Sequence, residues 1–207
     1  MVTAADRTSV WLASKPAAGT RRRSEQPTGL DREKITAASV RLLDAEGLAG
    51  FSMRRLAADL GVTAMSLYWY VDTKDDLLEL ALDAALGELP LPPEPGSPAS
   101  PVPSARSWSD RLRALACGYR RLLAVHPWLP ALSAEYPNIG PHARAFDTAL
   151  MRLLGATGLA APRRSGAHLA VSRFLHGCGT VRQAPEGDFH FALDLLVAGI
   201  EAHARPA

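Results

Sequence analysis

The sequence predicts an all-α fold, and three observations carry that prediction. Ala, Leu and Arg are abundant in a 207-residue chain that is 47% hydrophobic, a composition that favours helices and supplies a core. Apolar positions recur at three- and four-residue spacing in one segment after another. Strand signals are almost absent: β-branched runs are few, and no Asn-Gly turn joins alternating stretches. At this length the chain suits one small domain followed by a somewhat larger one.

Residues 1–29 hold no helical period. They carry Arg7, Lys15 and Arg21-Arg22-Arg23 among Pro16, Pro27 and scattered Gly and Ser. Two readings stand: a solvated, disordered tail, or a basic arm that tracks phosphates or enters the minor groove of DNA. Trp11 is out of place in a tail. From Asp31 to Glu46, Ile35, Ala38, Leu42 and Leu43 make one face of a helix, and Gly47 ends it. Phe51 to Lys74 then reads as two short helices around a tight turn. Leu56, Ala57 and Leu60 share a face. Gly61 stands where a helix end needs a left-handed residue, Val62 turns back into the core, and Thr63 can cap the second helix of the pair. Leu67, ten residues after Ala57, is placed to bury against the first of the two. Small residue, turn glycine and buried aliphatic in this order fit a helix-turn-helix, although an ordinary helical hairpin has the same spacing.

Thr73 and Asp76 form a capping box for a longer helix through Leu77, Leu78, Ala81, Leu82 and Ala85, ending near Leu89. The stretch Pro90–Ser107 cannot be helical, because prolines recur through it, and reads as an extended linker or loop. Helical patterns resume at about 109–125, 141–157, 162–181 and 188–203. His126-Pro127, Tyr136-Pro137, Gly158 and Pro185-Glu186-Gly187 punctuate them. The expected domains are therefore an arm (1–29), a DNA-binding domain (30–73), a connecting helix (74–89), a linker (90–107) and a helical C-terminal domain (108–207).

Several function classes lack support. A net charge of +2 is too small to mark a nucleic-acid binder by itself, which leaves that work to a local patch. Cys117 and Cys178 lie far apart without metal spacing, and read as buried thiols in a reducing compartment rather than a redox pair. No His pair has ligand spacing, and there is no nucleophile elbow or phosphate-binding glycine loop, so neither an enzyme nor a metal or organic cofactor is expected. No apolar run spans a bilayer and no signal peptide opens the chain, so the expected compartment is the cytoplasm, with no membrane partner.

The segment LDREKITAASVRLLDAEGLAGFSMRRLAADLGVTAMSLYWYV resembles the TetR family of bacterial transcriptional regulators, most closely the Tet repressor branch. The resemblance is close over about residues 30–86 and looser beyond, and LYWYV (Leu67 to Val71) is its most specific part. It implies a homodimer that binds a double-stranded DNA operator and is released by a small effector. Carried across by position, it gives Arg54 to guanine reading, where a guanidinium donates to O6 and N7. Ala64, Met65 and Ser66 fall at base-edge positions. Ser52, Tyr68 and Lys74 fall at phosphate-clamping positions. Tyr70 faces either the groove or the core, and Trp69 reads as core packing. Ala64 and Met65 replace a polar residue and a proline of the Tet repressor, so the operator is expected to differ.

In the C-terminal half Tyr119, Trp128, Phe146, Met151, Phe174 and His176, with Leu115, are the candidates for a cavity; each taken singly is also an ordinary core residue. The resemblance implies a small-molecule pocket in these helices, and this lining suits an apolar or aromatic effector. His126 is out of register with the Tet repressor's metal-liganding histidine, so tetracycline is not the expected ligand. In the last helix Phe189, Leu193, Leu196 and Ile200 form one apolar stripe, and Phe191, Leu195, Ala198 and Ala202 a second. Leu195 and Leu196 are the candidates to meet a second subunit, together with Phe189, Leu193 and Ile200. The alternative is a constitutive or protein-regulated helical DNA-binding regulator with no small ligand.

Overall fold

A computed structural model describes residues 9–12, 29–94, 107–178 and 185–204. Among them are nine helices and no strand: α1 (Arg32–Gly50), α2 (Met53–Asp59), α3 (Ala64–Leu67), α4 (Lys74–Gly87), α5 (Trp108–Val125), α6 (Leu129–Glu135), α7 (Pro141–Gly155), α8 (Ala161–Gly177) and α9 (Glu186–Ala204). The chain divides into two compact units. The first holds residues up to Gly87 together with Val125–Ala143. The second holds Glu88–Ala124 and the residues from Arg144 onward.

The first unit is assembled by local rules. Asp31 caps α1, accepting the Lys34 amide at 2.7 Å. Gly47, at φ +67°, interrupts α1 one residue after the predicted end. Ser52 caps α2 through the Arg55 amide. Gly61, also at φ +67°, makes the turn after it, where the Val62 amide donates to the Ala57 carbonyl at 2.9 Å. Thr63 and Thr73 cap α3 and α4, and the Asp76 carboxylate in return accepts the Thr73 amide at 3.0 Å. Ile35, Ala38, Leu56, Leu67, Leu77 and Ala81 are fully enclosed. Each such Leu or Ile contributes about 1.5–3 kcal/mol of apolar burial.

Two departures from the sequence reading belong to this unit. Residues 125–143, expected in the C-terminal domain, pack here instead, and include a helix that the proline-rich HPWLP stretch concealed. Pro130 sits in the first turn of α6, where no backbone donor is needed. Three aspartates hold the segment. Asp44 of α1 accepts His126 Nδ1 and Trp128 Nε1, both at 2.7 Å. Asp75 accepts the Tyr136 hydroxyl at 2.8 Å. Asp83, buried on α4, accepts the Ala143 and His142 amides at 2.9 and 3.3 Å and so caps α7. A side chain at Gly140 would run into that carboxylate.

The second departure is in the arm. Ser9–Leu12 form a turn, and buried Ser9 donates its hydroxyl to Glu79 of α4 at 2.5 Å. Burial raises the Glu79 carboxyl above the usual range, against the opposing effect of the Ser9 and Val10 donors. Arg7, Lys15 and Arg21 to Arg23 lie outside the described residues.

The second unit has a helical core that includes Leu112, Leu115, Tyr119, Leu150, Leu154, Val171, Leu193 and Val197. The predicted helices occur within a few residues of their expected bounds, except that α8 is described only to Gly177. Gly158 takes φ +84° after α7, as a helix stop. The start of the proline-rich stretch is tied down: Arg152 donates to the Pro92 carbonyl at 2.6 Å and to Glu94 at 3.1 Å. Residues 95–106 of the expected linker lie outside the described residues. Among the described residues no helix is long and apolar enough to cross a membrane.

Candidate nucleic-acid interface

The turn and α3 form a rigid, short projection. Leu67 is fully buried, and the chain leaves α3 immediately after it: the Tyr70 and Val71 amides both donate to the Leu67 carbonyl. Val71 then fills the core, which leaves Tyr68 and Trp69 on the outside, 45% and 62% exposed. The expectation that Trp69 packs in the core is corrected: Leu67 and Val71 take the two inward positions, so a helix ending at Leu67 turns Trp69 outward. Met65 projects beside them, 72% exposed. Ala64 and Ser66 are half-buried, and the Ser66 hydroxyl pairs with Thr63 Oγ1 at 2.9 Å.

Arg54, on the first turn of α2, is exposed, whereas its neighbour Arg55 is tied to Glu46 at 2.5 Å. Ser52 is half-buried and its hydroxyl serves the α2 cap. Two predicted site residues are engaged inside the domain. The Tyr70 hydroxyl donates to the Leu30 carbonyl at 3.0 Å, fixing the end of the α3 turn to the entry of α1. Of its two open readings, the structure favours the inward one. Lys74, though exposed, donates Nζ to the Phe51 carbonyl at 3.1 Å and lies 5.5 Å from the Phe51 ring centroid. The accessible face is therefore Arg54, Ala64, Met65, Ser66, Tyr68 and Trp69: one guanidinium, one hydroxyl, one phenol, one indole and two small or flexible apolar groups. Such a face can donate to base edges and phosphates and can pack on thymine methyls.

The predicted ligand residues are brought together only in part. Buried Tyr119 stands 5.6 Å from Phe146 and 5.7 Å from His176, centroid to centroid, and Phe174 stacks on Phe189 at 5.5 Å. Burial and the neighbouring Cys178 push the Tyr119 hydroxyl pKa above its ordinary value, so it stays protonated. Trp128 does not join them, because Asp44 holds it in the first unit. Met151 lies on the surface of α7 rather than in its interior. Of the predicted dimer residues, Phe189, Leu193 and Ile200 are buried within their own chain. A partner is left Leu195, 59% exposed, and half-buried Leu196, with Phe191 beside them. A groove of about 550 Å³ runs along the same side of α9, floored by Gly166, Ala167, Ala170 and Gly199.

Residues 35–81 match the family model described as bacterial regulatory proteins, tetR family, and residues 100–188 match the tetracyclin repressor-like C-terminal domain. An HTH-type transcriptional regulator of Saccharopolyspora erythraea is 42% identical over 148 residues, covering 72% of this chain and 59% of that protein. The class C tetracycline repressor protein of Escherichia coli is 30% identical over 159 residues, 77% of this chain and 69% of the other. The crystal structure of BioQ with its natural double-stranded DNA operator has a TM-score of 0.70 at 27% identity, covering 84% of this chain and 99% of that one. The chain spans 54% to 59% of the length of two of the curated relatives it matches.

Proposed function

The chain belongs to the tetR family of bacterial regulatory proteins, DNA-binding regulators and not enzymes, and we propose that it acts as a homodimeric, effector-responsive transcriptional repressor. The observation that carries the DNA-binding part is the α3 face. Met65, Tyr68 and Trp69 stand exposed on a projection that Leu67 and the Thr63 cap hold rigid. Large apolar and aromatic side chains are exposed there because a partner surface covers them. Arg54 on the adjacent helix supplies the cation for a guanine edge. Two copies of this projection would occupy successive major grooves about 34 Å apart on a palindromic operator.

Dimerisation is supported by Phe191 and Leu195 on α9, beside a groove floored by small residues that admits a close helix crossing. A small effector that binds the free dimer more tightly than the DNA-bound one would lower operator affinity by shifting the population. The tetracycline repressor and BioQ support the repressor and operator-binding part of this reading, as relatives whose names or structures report repression and an operator complex. The test is selection from a random duplex pool followed by footprinting. Two half-sites about one helical turn apart, with affinity falling steeply with salt, are expected. Recovery of no consensus, or binding of all duplexes alike, would rule it out.

A further inference from the structure

The second unit carries a cavity that none of the predicted ligand residues lines. Its volume is about 430 Å³, and Cys117, Arg120, Arg121, Glu186, Phe189 and His190 surround it. The residues come from two helical faces, α5 at i, i+3 and i+4 and the first turns of α9 at the same spacing, so both walls are rigid elements. Phe189 is buried at the base, backed by Phe174. The Arg120 guanidinium lies over the Phe189 ring, 5.0 Å from its centroid. Arg121 is exposed at the rim, and its Nε–H donates to the Cys117 carbonyl at 3.3 Å. That bond orients the fork and leaves its terminal amines for a partner. Among the described lining residues the carboxylate is Glu186, which faces its own helix neighbour His190 at 3.7 Å. Among the described residues, two guanidiniums thus line the cavity beside its aromatic base.

We propose that this cavity is the effector site and that it takes a planar aromatic carboxylate. The ring stacks on the outer face of the Arg120 guanidinium, and the carboxylate takes the fork of Arg121. The inference rests on the effector-responsive reading for its biological meaning and narrows the effector from any apolar or aromatic compound to an aromatic anion. An uncharged analogue of equal shape keeps the stacking and loses the fork.

The test is calorimetry on the full chain with 1-naphthoate and its uncharged isostere 1-naphthamide, for wild type, Arg120→Gln and Arg121→Gln. Wild type is expected to prefer naphthoate by about tenfold or more at low salt. Arg121→Gln should erase that preference while leaving the amide where it was. Arg120→Gln should weaken both probes. Equal binding of the two probes to wild type, a preference that survives Arg121→Gln, or no binding at millimolar probe would each overturn the assignment. Operator release is read separately by fluorescence anisotropy. Arginine-dependent naphthoate binding without release supports the site and sinks the effector reading. Release by another compound that persists in Arg121→Gln keeps the effector reading and sinks this site.

Discussion

The α3 projection and the outer face of α9 both expose large apolar side chains, and they are built in opposite ways. Met65 stands on a four-residue helix held by caps and one buried leucine, and Tyr68 and Trp69 follow its end, with the Ser66 and Thr63 hydroxyls nearby. Phe191 and Leu195 stand on a nineteen-residue helix whose other side, Phe189, Leu193, Val197 and Ile200, is core. The first surface is small and interleaved with polar groups, which suits the edge of a polyanion. The second is long, flanked by small residues, and suits a copy of itself. The difference teaches that exposed apolar area does not name its partner. The rigidity and polarity around it do.

The sharpest way to break this comparison is to charge the second surface. Leu195→Glu should turn a dimer of twice 22.1 kDa into monomer in light scattering, because an unpaired charge buried in the interface costs several kcal/mol. Circular dichroism should still report helix, since Leu195 is exposed within its own chain. Wild-type protein that is already monomeric at micromolar concentration would rule out the dimer.

Arg54→Ala tests the first surface. It should cost about 1–3 kcal/mol of operator binding and relax the preference at one base pair per half-site. A uniform loss across operator variants would make Arg54 a phosphate contact instead. Lys74→Ala sharpens the assignment: if the lysine mainly braces Phe51, melting temperature falls and the salt slope of DNA binding does not.

Trp128→Phe removes the indole donor to Asp44 and should lower stability by about 1 kcal/mol, because Asp44 stays partly solvated and keeps His126. Denaturant titration reads this directly, and an unchanged midpoint would mean that the Trp128–Asp44 bond contributes nothing to the first unit. The smallest effect is at Glu79. Its raised pKa means that the folded chain holds the proton more tightly than the unfolded one. The associated stability is therefore present at acid pH and is lost as pH rises through the raised value. Glu79→Gln keeps an acceptor for Ser9 and does not titrate. Its melting temperature should gain on wild type as pH climbs from about 4 to about 7. Parallel curves would show that Glu79 is not the titrating group.

Local chemistry was legible in the sequence; placement across distance was not. Gly47, Gly61, Gly158 and the Thr73–Asp76 box are read within four residues of themselves, and each does what its residue type requires. Leu67 was readable as buried because its spacing from Ala57 spans only the turn. Trp69 was not, because its direction depends on where α3 stops. Trp128 looked like a pocket aromatic, and its true partner is an aspartate 84 residues away. Ser9 met Glu79 across 70 residues with no motif to announce it, although Trp11 hinted that the arm was more than a tail. For the cavity, Arg120 of α5 gave no sign that it would meet Phe189.

The return of residues 125–143 to the first unit also bears on synthesis. As the chain leaves the ribosome, α1 to α4 emerge together, but the partners given to Asp44, Asp75 and Asp83 arrive only with His126 through Ala143. The first unit therefore reaches its full set of contacts only after all of α5 has been made, in an order that links its completion to its neighbour's. A fragment cut at Gly87 carries the whole helix-turn-helix and yet lacks these partners. It should express as a less stable, more slowly assembled species than the same residues within the intact chain.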